Sequence, residues 1–247
     1  MDKQSLLRRA EDLFRRSAAQ HIITHTGFLT PAEQHTLAGC PHLRPALLLH
    51  GGGADTERQV AFFLPEYLDP ADFDPREQLS ALQLRSRFGA PGHRDVLGSL
   101  LGLGIERWTL GDIYTEGETA WVFCLPTVVT HICRELTHIG RGGVQVAEIA
   151  LTSVPAPERK REKIAFTVSS LRLDAVLAGT FGLSRSQAAE KIAAGLVQLN
   201  YEICEKVATE LTPGDVFSLR GSGKAKLAGL GGHSKKGRLF IKVETYA

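Results

Sequence analysis

Apolar residues change their spacing several times along the chain, and each change marks an expected element. Leu6, Leu7, Ala10, Leu13 and Phe14 recur at helical spacing among Arg8, Arg9, Arg15 and Arg16, which predicts a helix over residues 1 to about 20 with a basic outer face. Thr30-Pro31-Ala32-Glu33 predicts a second helix start, because Thr can cap, Pro suits the first helical position and Glu can return to the cap. Residues 46–50 and 59–64 read as strands on either side of a Gly51-Gly52-Gly53 turn segment. A small helix-plus-sheet domain over 1–75 follows from these signals.

From residue 79 the periods alternate as strand 79–85, helix 93–103, strand 112–114, strand 119–124, helix 126–138 and strand 144–151. That βαββαβ order is the split βαβ arrangement of RNA-recognition and ferredoxin-like domains, here over 76–154. An RNA-recognition motif stacks bases on aromatics of its central strands. In this chain only Trp121 and Phe123 share such a face, Leu82-Gln83-Leu84 adds none, and core packing is the expected role of the pair. Residues 155–163 turn abruptly to proline and charge and read as a linker or exposed lead-in. A third domain over 164–247 should hold two helices, a set of short strands, a mobile Gly-, Lys- and Ser-rich arm over 221–237, and a last strand in which Leu239, Ile241 and Val243 alternate with polar residues. The fold class expected is multidomain α+β.

Charge separates the halves. The chain carries 14 Lys and Arg against 19 Asp and Glu up to Glu158, but 15 against 8 from Arg159 onward. The basic C-terminal third would collect polyanions and release counterions, so nucleic acid is its natural partner. Membrane association is not expected, since no apolar run approaches the roughly 20 residues of a span and no amphipathic surface helix is evident. Cys40, Cys124, Cys133 and Cys204 lack metal-ligand spacing, none of the nine histidines falls in a ligand array, and reduced thiols without a metal are expected. The protein should be soluble and cytoplasmic, and monomeric when free.

The densest chemistry lies between Leu171 and Arg220. Ser184-Arg185-Ser186-Gln187 is a capping box, and the helix it opens offers first-turn amides and a positive dipole end to phosphate. Ala188, Ile192 and Ala193 would face the core, with Gln187 and Lys191 one turn apart on another face near Arg185. The helix before it, over 170–179, would bury Leu173, Val176 and Leu177 and leave Arg172 free to flank the same surface. Asp174 is expected to serve as an internal partner for an arginine or an amide, since a carboxylate repels phosphate.

Leu171-Arg172-Leu173-Asp174, Ser184-Arg185-Ser186-Gln187-Ala188, Gly214-Asp215-Val216 and Arg220-Gly221 resemble the S4 RNA-binding domain. With Phe28-Leu29-Thr30-Pro31, His93-Arg94-Asp95-Val96, Gly111-Asp112-Ile113 and Lys235-Lys236-Gly237-Arg238, nearly the whole chain resembles the YlmH family of bacterial S4-domain proteins. The resemblance implies a non-catalytic protein without a cofactor that binds structured RNA, with 23S rRNA and tRNA of the large ribosomal subunit as partners. Members of that family assist ribosome-associated quality control by holding the tRNA of a stalled nascent chain. Relatives are linked instead to cell division or photosystem II assembly. The RNA-facing set carried over is Arg172, Ser184, Arg185, Ser186, Gln187 and Lys191, with Arg220 and the arm cations Lys224, Lys226, Lys235, Lys236 and Arg238 in support. Where the S4 domain continues Asn-Gly into a tight turn, this chain has Asn200-Tyr201. A positive φ costs tyrosine roughly 1 kcal/mol, so either the turn is wider or the ring faces RNA.

Enzyme readings fare worse. The Arg172-Leu173-Asp174 echo of pseudouridine synthases lacks the catalytic sheet that should follow an S4 domain. His138-Ile139-Gly140-Arg141 and Ser234-Lys235-Lys236 echo tyrosyl-tRNA synthetases without a parallel nucleotide-binding sheet upstream. His93-Arg94-Asp95 has no kinase companions, and Gly51-Gly52-Gly53-Ala54-Asp55 lacks the Lys-Ser or Lys-Thr ending of a phosphate loop. The remaining enzymatic alternative is an RNA-modifying site within the N-terminal domain, where the sequence assigns no role to Glu57-Arg58.

Overall fold

Helix α1 (Lys3–Gln20) starts where the Asp2 carboxylate accepts from the amides of Gln4 and Ser5, and it stops at His21, whose φ of 55° is left-handed. The computed structural model describes residues 2–87, 89–156, 161–234 and 237–246, and the chain divides into two compact units, Met1–Pro157 and Glu158–Ala247.

In the first unit, β1 (Thr24–Leu29), β2 (Leu47–His50) and β3 (Gln59–Phe63) form an antiparallel sheet of order β1-β3-β2. Helix α2 (Pro31–Ala38) begins at the Thr30/Glu33 capping box read from the sequence. One sheet face packs Leu29, Ala61 and Phe63 against Leu6, Ala10 and Leu37 of the helices. Strand β1 is absent from the sequence reading because Thr24 and Thr26 break its apolar pattern. Both are buried yet satisfied: Thr24 Oγ1 donates to Leu13 O, and Thr26 Oγ1 donates to Gly27 O and accepts from Ala61 N.

Strands β4 (Ser80–Ser86), β5 (Leu110–Glu116), β6 (Thr119–Cys124), β7 (His138–Ile139) and β8 (Gly142–Ile149) form a second antiparallel sheet of order β5-β6-β4-β8-β7. With α3 (His93–Gly102) and α4 (Pro126–Glu135) this is the expected βαββαβ arrangement plus the short β7. Helix α4 ends before His138, contrary to the sequence reading. His138 and Ile139 instead pair with Gly143 and Gly142 around a left-handed Gly140. Leu82, Leu84 and Val122 face α3 and α4, whereas Ala81 and Phe123 face Phe28, Val60 and Phe62 of the first sheet. Residues 1–75 and 76–154 therefore share an apolar cluster inside one unit.

The second unit contains β9 (Arg161–Val168), α5 (Leu173–Phe181), α6 (Arg185–Ala193), β10 (Val197–Leu199), β11 (Glu202–Ile203), β12 (Val216–Leu219), β13 (Gly223–His233) and β14 (Leu239–Tyr246), with sheet order β11-β10-β12-β13-β14-β9. The helices cover one face of this sheet around Leu173, Val176, Leu177, Ile192, Phe217 and Leu227.

Four readings change here. The charged lead-in becomes strand from Arg161, and its residues pair with β14 along the full length. The expected mobile arm is β13, an 11-residue strand held between β12 and β14, because Ala225 and Leu227 are buried at alternate positions. Its glycines admit register shifts between Leu227 and Gly229 and between Leu230 and His233 rather than looseness. Lys235 and Lys236 of that arm lie outside the described residues, as do Glu158, Arg159 and Lys160 of the lead-in. Ala193 is exposed, since Ala188 and Ile192 alone fill the core side of α6. The Asn200-Tyr201 turn is tight: β10 ends at Leu199, β11 starts at Glu202, and both turn residues have positive φ, 49° and 70°. Asn200 holds it by donating from Nδ2 to Asp215 Oδ1 and accepting from Val216 N.

Candidate nucleic-acid interface

Arg172 is the N-cap of α5 and Arg185 the first residue of α6, so two cations stand at two helix starts. Backbone bonds from Leu173 N to Thr209 O (2.8 Å) and from Leu211 N to Leu171 O (2.9 Å) fix the entry to α5. Asp174, in the first turn of α5 and 4% exposed, joins the two arginines. Its Oδ1 accepts from Arg172 Nε at 3.1 Å, and its Oδ2 accepts from Arg172 Nη2 at 3.3 Å and from Arg185 Nη2. Burial alone would raise the Asp174 carboxyl, but the hydrogen bonds and charges of Arg185 and Arg172 outweigh it and hold the group below its ordinary value. Arg172 is thus not free, as the sequence suggested, but clamped.

The clamp leaves the cations usable. The Arg172 and Arg185 side chains are 40% and 50% exposed against 6% for Asp174. Two positive charges on one carboxylate leave a net positive site, beside helix starts whose first amides have no intrahelical acceptor. Ser184 Oγ accepts from Gln187 N at 3.2 Å, Gln187 Oε1 accepts from Ser184 N at 2.9 Å, and the Ser184 and Ser186 hydroxyls lie 3.0 Å apart. Ser184, Arg185, Ser186 and Gln187 are all exposed, and Lys191 follows on α6, half-buried.

The remaining members of the sequence-derived set lie elsewhere. Arg220 is exposed after β12, and its amide donates to Leu196 O, so it stands near the far end of α6, about 13 Å from Ser184 at helical rise. Lys224 and Lys226 alternate with the buried Ala225 and Leu227, so their side chains leave the sheet on the face away from the helices. Arg238 donates from Nη2 to Thr167 O at 2.7 Å.

The face of the middle sheet that carries Phe123 is partly closed. Phe123 is 1% exposed, and the backbone at Gly52, with φ of 97°, lies so close that a Cβ there would be 2.5 Å from the Phe123 ring. Core packing is the sequence reading for Trp121 and Phe123 together; Phe123 is buried against the Gly-rich segment, whereas Trp121 is only half-buried. Glu57 and Arg58, to which sequence assigned nothing, join the two sheets. Their amides donate to the Asp112 carboxylate at 2.6 and 2.9 Å, and the Arg58 guanidinium donates to Phe28 O and Leu110 O. Burial lowers Arg58, and burial together with the Arg58 charge lowers Arg107 to about 10. All four cysteines are unpaired, and among the described residues no cluster of His, Cys, Asp and Glu could hold a metal ion and no helix is long and apolar enough to cross a membrane.

The family described as "Putative RNA-binding domain in YlmH" matches residues 70–153, and the S4 domain matches residues 171–217. The "Ribosome-associated protein quality control protein P2" of Bacillus subtilis (strain 168) is 30% identical over 244 residues, which span 98% of this chain and 95% of that protein. A solved structure, "Cell division protein ylmH from Streptococcus pneumoniae", aligns with a TM-score of 0.50 at 21% identity, covering 60% of this chain and 92% of that one, a likeness of fold. Two RNA-binding domains in this order, and a relative matched from end to end, place the chain in the YlmH family of S4-domain proteins.

Proposed function

We propose that this protein is a non-catalytic adaptor of the large ribosomal subunit whose α5–α6 wedge binds phosphates of 23S rRNA and tRNA through Arg172, Arg185 and Lys191. The observation that carries the reading is the buried Asp174, which holds two half-exposed guanidiniums side by side at two helix starts. Fixed forks of this kind suit phosphate oxygens, which accept paired N–H bonds. The Bacillus subtilis relative, named for ribosome-associated quality control, supports the ribosomal destination.

A structural rather than catalytic role for the first unit is supported by its polar groups. A cavity of about 550 Å³ there is lined by His50, Gly52, Asp74, Arg76, Tyr114 and Leu151. Asp74 and Arg76 pair with each other at 2.6 Å, and His50 Nδ1 accepts from Gly52 N. Asp112 is taken up by the amides of Glu57 and Arg58 and by the Tyr114 hydroxyl.

Binding to purified large subunits, measured between 50 and 200 mM salt, tests the reading. Three phosphate contacts give a slope of log K against log salt of about −2.7, a loss of about 40-fold across that range. A flat dependence would refute it.

A further inference from the structure

The side of the C-terminal sheet away from α5 and α6 is a second surface. Strand pairing sets one outward row across it as Ile203, Gln198, Ser218, Lys224 and Tyr246. Ile203 is 65% exposed and Phe240, farther along β14, is 44% exposed, so this face is open. The Lys224 ammonium lies between two aromatic rings, 6.0 Å from the centre of Tyr201 and 5.3 Å from that of Tyr246. The tight Asn200-Tyr201 turn between β10 and β11 places the Tyr201 ring there.

Charge on this face has one dominant sign. Lys163, Lys224, Lys226 and Lys242 occupy outward positions of β9, β13 and β14, and Glu244, 3.8 Å from Lys163, is the one carboxylate among the described side chains at those positions. Phe240 stands six residues from Tyr246, about 20 Å at strand rise, so aromatic and cationic groups are spread over a length suited to a few nucleotides. Rings flanking a cation on an open sheet suit bases with exposed faces next to a phosphate backbone. A duplex hides its base faces in its own stack, so it cannot use the rings.

We propose that this sheet face binds single-stranded RNA, with bases stacking on Tyr201 and Tyr246 and phosphates neutralised by Lys224, Lys226 and Lys242. It extends the RNA-binding reading of the α5–α6 wedge to a different surface and a different form of RNA. The protein would then hold a folded RNA with its helices and an unpaired segment with its sheet.

The test uses the full chain and a fluorescent twelve-nucleotide oligo-U at low salt, read by anisotropy. Tyr201→Gly removes a ring at a position whose φ of 70° suits glycine, and so spares the turn. The Tyr201→Gly/Tyr246→Leu double variant should bind oligo-U about tenfold more weakly or worse, while its affinity for an RNA hairpin stays within about twofold of the unmodified protein. Tyr246→Phe should keep oligo-U binding. Arg185→Glu/Lys191→Glu should lose the hairpin and keep oligo-U. Unchanged oligo-U binding by the tyrosine double variant overturns the proposal, as does loss of oligo-U through the Arg185/Lys191 pair alone, and neither result touches the wedge reading.

Discussion

Replacing Asp174 by asparagine keeps the side-chain volume but removes the charge that holds Arg172 and Arg185. Simple charge counting says that RNA binding should strengthen, because the site gains one unit of positive charge. The structure argues the reverse. Each guanidinium released from its fixed position must be ordered again on binding, at about 0.5–1.5 kcal/mol per long side chain. Against the combined loss of about 1–3 kcal/mol stands the removed repulsion between Asp174 and a phosphate, about 0.6 kcal/mol at 7 Å in water. A net weakening of about 1 kcal/mol, roughly fivefold in Kd, is expected. Stability should fall too, because three charge-assisted bonds end on this carboxylate. Both arginines are half-exposed and regain water, so about 1–2 kcal/mol is expected, a drop of about 4–8 °C in Tm per kcal/mol for a unit of this size. Anisotropy with a labelled hairpin at fixed salt and a thermal melt by circular dichroism give the two numbers. Tighter hairpin binding by Asp174→Asn would refute the argument that the clamp positions the arginines.

Other outcomes follow from the same geometry. The Asp174 carboxyl is held below its ordinary value, so its stabilising contribution is present above the unfolded carboxylate range, about pH 4, and is lost as pH falls through its lower folded value; urea unfolding should show a gap between the native chain and Asp174→Asn that is full at about pH 6 and narrows steadily as pH is lowered below about 4. Gly52→Ala should destabilise the first unit by about 2–4 kcal/mol in a thermal melt, since it combines a left-handed φ with overlap on the buried Phe123 ring. Tyr201→Gly should leave the second unit within about 1 kcal/mol of the native chain, because relief of the positive φ is offset by loss of the ring's contact with Lys224 and by the greater chain entropy of glycine, with urea midpoints as the readout.

Local signals were legible in the chain and long-range ones were not. The Thr30/Glu33 and Ser184/Gln187 capping boxes need only four neighbouring residues, and both form as read. The βαββαβ order followed from changes of period alone. Asp174 was readable as an arginine partner, but its bridging of Arg172 and Arg185 depends on the turn between α5 and α6, which no local pattern reports. Strand β13 was hidden by composition. Glycine and lysine suggest a loose arm, whereas Ala225 and Leu227 supply just enough inward apolar surface for a strand whose neighbours β12 and β14 satisfy its backbone. For the same reason Lys224 and Lys226 were grouped with the wedge, although the register places them on the opposite face. The open face with Tyr201 and Tyr246 exists only after β10–β14 are paired; its sequence traces are the tyrosine in place of glycine at position 201 and the outward alternation of Lys224, Lys226 and Lys242 with buried residues.

The central claim, that the wedge attaches the protein to the large ribosomal subunit, is tested most directly by co-sedimentation on a sucrose gradient at low and physiological salt. The intact chain should travel with the large subunit, and the Arg185→Glu/Lys191→Glu variant, shown by its melting curve to be folded, should stay at the top. A folded variant that travels with the subunit as the intact chain does would contradict the account.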